Sequence, residues 1–235
     1  MENLENANVE RNIFGDYVLD DGTIIKCNDL NAEMGTIQVD ESGTYYFDGW
    51  SGDVEVIGSD KDNSYVFTNC ENINIDTQSG DDHVAIYDSA NLNVYTGKGE
   101  DTVYVQDVIN ADIHTGKGKD KIFAEDVFNS DFHAGKGKDT IFANEVYNSD
   151  FHGGKGQDKI HVVGHENDIY GGKGSDIITS IGNFNEVKGN KGNDIINTFG
   201  LFNKASGGKG IDSVHKNFIP QNPLINPMGF GTFGF

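Results

Sequence analysis

Eight aspartates recur along this chain at a nearly constant interval: Asp82, Asp101, Asp120, Asp139, Asp158, Asp176, Asp194 and Asp212. The steps between them are 19, 19, 19, 19, 18, 18 and 18 residues. Seven of the eight close a Gly/Lys turn, from Thr96-Gly-Lys-Gly-Glu-Asp101 to Gly207-Gly-Lys-Gly-Ile-Asp212; the remaining one, Thr77-Gln-Ser-Gly-Asp-Asp82, is a degenerate copy. The turn glycines are Gly97, Gly99, Gly116, Gly118, Gly135, Gly137, Gly154, Gly156, Gly172, Gly174, Gly192, Gly208 and Gly210. Glycine permits positive φ and tight reversal, which exposes backbone carbonyls. The aspartate adds a hard anionic oxygen. Carbonyls and carboxylates without Cys or a fixed His partner suit Ca2+. Mg2+ keeps its waters and takes few protein ligands. The pattern predicts several Ca2+ ions, held by these aspartates and by carbonyls of these glycine turns.

Such a ladder opposes its own folding. Carboxylates stacked at ~4.8 Å repel by roughly 1 kcal/mol per neighbouring pair even at the dielectric of water. Cations between successive turns make the ladder a clamp and couple metal binding to folding. The competing arrangement is a metal-free solenoid, in which the column Lys98, Lys117, Lys136, Lys155, Lys173, Lys191 and Lys209 offsets the aspartates directly. We expect the lysines to point outward and the aspartates inward.

The elements that position these turns follow from the same period. A second marker, Asn72, Asn91, Asn110, Asn129, Asn148, Asn167, Asn185 and Asn203, reads as an unbroken series. It places the one-residue deletion in the second strand of its coil, between Asn148–Gly153 and Asn167–Gly171. The second residue after each aspartate is apolar: Val84, Val103, Ile122, Ile141, Ile160, Ile178, Ile196 and Val214. Two further on come Ile86, Val105, Ala124, Ala143 and Val162. A second strand contributes Ile75, Val94, Ile113, Phe132, Phe151, Ile169, Val187 and Ala205. Alternation of this kind puts these columns on the inner face of strands, and recurrent glycine argues against helices. The fold class is therefore all-β: a right-handed parallel β-roll or β-solenoid of about eight coils of 18–19 residues, one calcium turn per coil. The Asn ladder is expected to be structural, with stacked amides bonded from coil to coil.

Three regions are expected. Residues 1–57 do not repeat and read as an N-terminal β cap, with strands at Gly35-Thr-Ile-Gln-Val and Gly43-Thr-Tyr-Tyr-Phe joined by a turn. Residues 58–215 hold the calcium-binding repeats. Their first coil, 58–76, is worn, with Val66, Asn72 and Ile75 in register and Asn63 in place of the aspartate. Residues 216–235 form a Phe/Gly-rich tail that holds all three prolines and no acidic residue.

Composition narrows the function. The net charge of −21, from 38 acidic and 17 basic residues, excludes a nucleic-acid footprint and disfavours anionic membranes. With 15 Phe and 9 Tyr the chain is too aromatic for an acidic disordered segment. Two cysteines, Cys27 and Cys70, are too few for a disulfide scaffold, and whether they pair is open. No apolar run is long enough for a transmembrane helix. The N-terminus lacks the basic and apolar regions of a cleaved secretory signal.

The turns resemble the RTX, or hemolysin-type calcium-binding, nonapeptide G-G-x-G-x-D-x-U-x. Gly153–His161 and Gly171–Thr179 match it closely, and the resemblance covers residues 77–214. It implies a secreted bacterial protein, calcium-induced folding, and type I export through an uncleaved C-terminal signal, a role open to residues 216–235. This chain carries the motif on one edge only, whereas RTX rolls carry it on both. The one-sided layout and 19-residue period are similar to the calcium-bound ice-binding β-solenoid of bacterial adhesins. Lysine stands where that fold presents threonine, which makes a poor flat lattice for ice.

Two outward features remain. Tyr104, Phe123 and Phe142 form an aromatic stripe on the first sheet, expected to be covered by the cap or by a second copy of the chain. Asp112/His114, Asp131/His133 and Asp150/His152 form an Asp-x-His grid on the second sheet; surface chemistry without a ligand, a Zn2+ site and a pH-sensitive patch are its readings. No nucleophile motif, zincin motif or phosphate loop is present. The expected function is a secreted, extracellular calcium-binding structural or interaction protein with a cell-surface, polysaccharide or protein partner, or a homo-oligomer. An extracellular polysaccharide-acting enzyme and a small secreted toxin or bacteriocin are the alternatives.

Overall fold

In the computed structural model, residues 10–11, 17–18, 24–25, 35–39 and 42–217 are described. They contain strands and turns and no helix, hence none long and apolar enough to cross a membrane. The chain winds into a parallel β-solenoid of about nine turns, the parallel roll that the repeat predicts. Each turn adds one strand to each of two facing sheets. In the first sheet Thr102–Gln106 pairs with His83–Tyr87 on one side and Lys121–Glu125 on the other, like position on like position. In the second, Phe132 lies beside Ile113 and Phe151, and Ile169 beside Phe151 and Val187.

This register follows from the alternation. A one-residue slip would turn every apolar column to water. Val84, Val103, Ile122, Ile141, Ile160, Ile178 and Ile196 are all buried, as are Ile75, Val94, Ile113, Phe132, Phe151, Ile169 and Val187. Phe132 and Phe151 stack across the coil step at 4.9 Å between centroids. Val214 and Ala205 keep partial exposure because they lie in the last described coil.

The solenoid begins before the sequence repeat does. Thr44–Asp48 pairs in parallel with Ser64–Thr68, and Gly35–Gln38 with Val54–Ile57. The two segments read as neighbours joined by a turn therefore belong to opposite sheets and continue the stack. Larger side chains fill the core there: Phe47 stacks on Phe67 at 4.5 Å and meets Trp50 edge-on. In the worn coil, Tyr65 takes the inner column above Val84, while Val66, beside Ala85, faces outward. Antiparallel pairs at Glu10–Arg11, Tyr17–Val18 and Ile24–Ile25 finish this end, with Ile24 beside Tyr45. Cys70 is a free, buried thiol. Cys27 and the tail from residue 218 lie outside the described residues.

The Asn series is two ladders rather than one. Asn72, Asn91, Asn110, Asn129 and Asn148 sit in left-handed backbone with φ between 50° and 59°. They are exposed, and their amides bond from coil to coil, Asn110 Nδ2 to Asn91 Oδ1 at 3.0 Å and Asn148 Nδ2 to Asn129 Oδ1 at 2.7 Å. Asn167 and Asn185 point inward and are fully buried; Asn203 in the last turn is half-buried. Asn167 Oδ1 accepts from the Ser149 N–H at 3.0 Å and its Nδ2 donates to Val146 O at 3.0 Å. The left-handed position passes to Glu166, Phe184 and Phe202.

The deletion thus lies in the corner between the two strands and not in the second strand. Ala143 pairs with Val162, but Val146 pairs with Gly164. Losing the valine side chain at Gly164 makes the room: a Cβ there would stand 2.9 Å from Asn167 Nδ2.

Candidate metal centre

The Gly-Lys-Gly turns stack as tightly as the strands. Lys117 lies beside Lys136 and Gly118 beside Gly137, and the pairing continues to Lys155 and Gly156. The carbonyls of Gly97, Gly116 and Gly135 accept the N–H groups of Lys117, Lys136 and Lys155 at 2.9, 2.8 and 2.7 Å. These carbonyls are therefore bound into a backbone ladder rather than wholly exposed, and each keeps one lone pair. Glycine is required by the close stacking: a Cβ on Gly116, at φ 85°, would stand 2.3 Å from Gly97 O, and one on Gly118 only 1.5 Å from Gly99 O. Asn190 holds the equivalent of Gly116 in a later turn at φ 74°, a conformation Asn tolerates.

Inside these turns lies the aspartate column. Asp82, Asp101, Asp120, Asp139, Asp158, Asp176 and Asp194 are buried, with Asp212 half-buried in the last coil. Each Oδ1 accepts the backbone N–H of the residue at the same position one coil earlier. Asp101, Asp120, Asp139, Asp158, Asp176 and Asp194 bind their predecessors in this way at 2.9 Å. The chain of bonds runs on through Asn63, whose N–H donates to Asp82 Oδ1 and whose Oδ1 accepts the Gly43 N–H at 3.1 Å. Asn63 itself keeps the column neutral at that end and bonds through Nδ2 to Lys61 O at 2.8 Å.

The second oxygen is the unusual one. Oδ2 of Asp82, Asp120, Asp139, Asp158, Asp176 and Asp194 is buried and meets no hydrogen-bond donor. Asp101 alone in this buried set has one, from Thr96 Oγ1 at 2.6 Å. Thr115 lies near enough to Asp120 to lower its pKa, yet spends its proton on Ala134 O at 3.0 Å. From Asp82 to Asp194, burial is the largest influence on each of these carboxyls and raises it. Asp120 is pushed up to about 7, and Asp82, Asp139, Asp158 and Asp176 to about 6. Asp101 and Asp194 move the same way.

One part of this site was missed in the sequence. Five residues before each aspartate stand Thr77, Thr96, Thr115, Ala134, Gly153, Gly171, Gly189 and Gly207, always small. In the later coils, where the residue is glycine, the carboxylate explains it; Ala134 and the threonines keep a Cβ there. A Cβ on Gly171 would lie 2.6 Å from Asp176 Oδ2, and one on Gly189 2.3 Å from Asp194 Oδ2. The uniform smallness of this column was the available signal.

The lysines Lys98, Lys117, Lys136, Lys155, Lys173, Lys191 and Lys209 are all exposed and point away from the aspartates. Among the described residues no ion pair joins a turn lysine to a column aspartate. With the glycines, Lys136, Lys155, Lys173 and Lys191 line a shallow groove along the outer edge. Elsewhere, Phe142 is exposed and Tyr104 and Phe123 half-exposed, and no described residue covers their stripe. The Asp-x-His grid lies on the outer face of the second sheet, its histidines directly preceding the turn residues Thr115, Ala134 and Gly153.

Fold and site together define a parallel β-solenoid with a buried carboxylate ladder along one edge. No family model, no curated protein and no solved structure matches this chain.

Proposed function

We propose that this chain is a calcium-binding β-solenoid that serves as a structural or interaction module and folds when it binds Ca2+. One observation carries the reading: six buried aspartate oxygens without a donor. A buried carboxylate oxygen left unpaired costs about 1–3 kcal/mol, more when charged. Only a proton or a cation relieves it. At neutral pH the proton competes poorly, since most of the column is pushed up only to about 6. Several divalent cations along the column relieve all six.

The donor set fits a hard ion. It consists of oxygen alone: the Oδ2 atoms and, beside those of Asp158, Asp176 and Asp194, the carbonyls of Gly171, Gly189 and Gly207. Asp82, Asp101, Asp120, Asp139, Asp158, Asp176, Asp194 and Asp212 would hold the ions, and Ca2+ would supply the compensating charge. The outward lysines do not. The similarity of residues 77–214 to RTX repeats supports the same ion and extends the reading to secretion into a calcium-rich medium, with type I export from a bacterial cell. The exposed faces of the solenoid are then free for a cell-surface, polysaccharide or protein partner.

The test is circular dichroism and calorimetry of EDTA-treated protein titrated with Ca2+, with Mg2+ as control. The expected result is a cooperative gain of β signal with Ca2+ alone, at micromolar to millimolar concentration. A protein folded in EDTA and indifferent to Ca2+ would leave a metal-free solenoid with a protonated ladder, and the secretion reading would lose its support.

A further inference from the structure

The outer face of the second sheet carries a stacked column of rings: Tyr95, His114, His133, His152 and Tyr170, with successive centroids 4.9, 4.4, 4.4 and 4.7 Å apart. Beside it runs an acidic column, Asp112, Asp131, Asp150 and Asp168. Periodicity alone would produce such columns. Convergence at one point goes further. Asp112, His114 and His133 each bring one ligand atom to within 4.8 Å of the others. Asp112 Oδ1 lies 2.8 Å from His114 Nε2, yet it is a buried atom without a well-directed hydrogen bond. The three residues are half-exposed, so an ion can reach them.

We propose that Asp112, His114 and His133 form a binding site for one transition-metal ion of the Zn2+ class, separate from the calcium ladder. Two imidazoles and a carboxylate select such a metal over Ca2+, which prefers oxygen alone. Zn–N bonds of ~2.0–2.1 Å in a tetrahedral shell bring donors to about 3.4 Å from one another. The rings must therefore tilt out of their parallel stack, a rotation about χ2 that the open outer face permits. Among the described residues no other such group converges, so the grid holds a single ion. Three protein ligands leave the fourth position to water or to a donor from a partner.

The test uses the full chain, titrated with Zn2+ and separately with Co2+, with and without saturating Ca2+. One ion per chain is expected, with a Co2+ ligand-field band of tetrahedral intensity. His133→Ala and His114→Ala should each weaken Zn2+ binding by about 10-fold or more, and Asp112→Asn should also weaken it. His161→Ala, on the other sheet, should leave it unchanged. Circular dichroism of each variant checks that the solenoid is intact. Sub-stoichiometric binding, equal loss in His161→Ala, no loss in His133→Ala, or displacement of Zn2+ by excess Ca2+ would each overturn the site. None of these readings depends on the Ca2+ titration of folding, so either proposal can fail alone.

Discussion

The backbone N–H of Asp120 donates to Oδ1 of Asp139 at 2.9 Å, while Oδ2 of Asp139 is buried and meets no donor. One oxygen ties neighbouring coils together and the other is left with uncompensated charge. The same carboxylate is thus a structural acceptor on one oxygen and an unpaired buried group on the other, and these two roles separate under mutation.

Asp139→Asn keeps the acceptor and removes the charge. Without metal it should stabilise the solenoid by roughly 1–3 kcal/mol, since an uncompensated buried oxygen is lost. In saturating Ca2+ it should do the opposite, because a ligand is gone. Circular dichroism in EDTA, where the variant should hold more β signal, and thermal melts in Ca2+, where it should melt lower, should show this reversal of sign. The same sign in both media would remove Asp139 from any metal site.

The metal-free protein should lose stability as pH rises. The unfolded carboxylates titrate at 3.8, while Asp120 is pushed up to about 7 and Asp82, Asp139, Asp158 and Asp176 to about 6 in the folded chain. A raised folded pKa gives stability that is complete below the unfolded value and is lost as pH climbs through the folded one. The β signal in EDTA should therefore fall between about pH 4 and pH 7. Saturating Ca2+ binds the deprotonated form and should flatten or reverse the trend. A flat profile in EDTA would contradict the buried, uncompensated column.

Gly189→Ala tests the small column in front of the aspartates. Its Cβ would stand 2.3 Å from Asp194 Oδ2 and 2.7 Å from Gly207 O. Overpacking of this kind costs about 1–3 kcal/mol. The change should lower the melting temperature and weaken Ca2+ coupling, read by titration. The same substitution at Gly49, where a Cβ meets nothing within 4 Å, would act only through its φ of 69° and should leave Ca2+ coupling intact.

The two Asn ladders should respond differently to alanine. Asn167→Ala removes the acceptor of Ser149 N–H and the donor to Val146 O inside the core. Leaving those groups buried and unpaired should cost about 2–4 kcal/mol. Asn148→Ala loses an exposed amide bond to Asn129 and the tolerance of Asn for left-handed backbone, and should cost about 1 kcal/mol. Denaturant melts compare the two; equal effects would contradict the split.

Much of this architecture was legible because a solenoid repeats in one dimension. The step between aspartates fixes the coil length, and alternation around Ile122 or Phe132 fixes which face is inside. Once like stacks on like, a single coil predicts its neighbours. Lysines outward and aspartates inward followed from that parity. What was lost lay where periodicity weakens. Residues 35–39 and 42–57 stack as coils, yet Phe47 and Trp50, with Tyr65 in the next coil, fill the core by volume rather than by a repeated motif. Tyr65 and Val66 exchange faces relative to the reading from sequence, since either is apolar enough for the inner column.

The sequence by itself determined the parallel stack, the coil length and the position of the carboxylate ladder, because these depend only on residue type and interval. Only the tertiary structure decided which atoms satisfy which. Asn148 and Asn167 occupy the same interval, but the corner backbone turns one outward and the other inward. Asp101 and Asp139 occupy the same turn position, but a threonine hydroxyl reaches only the first. Side-chain direction at a corner and the identity of a buried donor depend on packing between coils, and spacing along a chain carries no record of either.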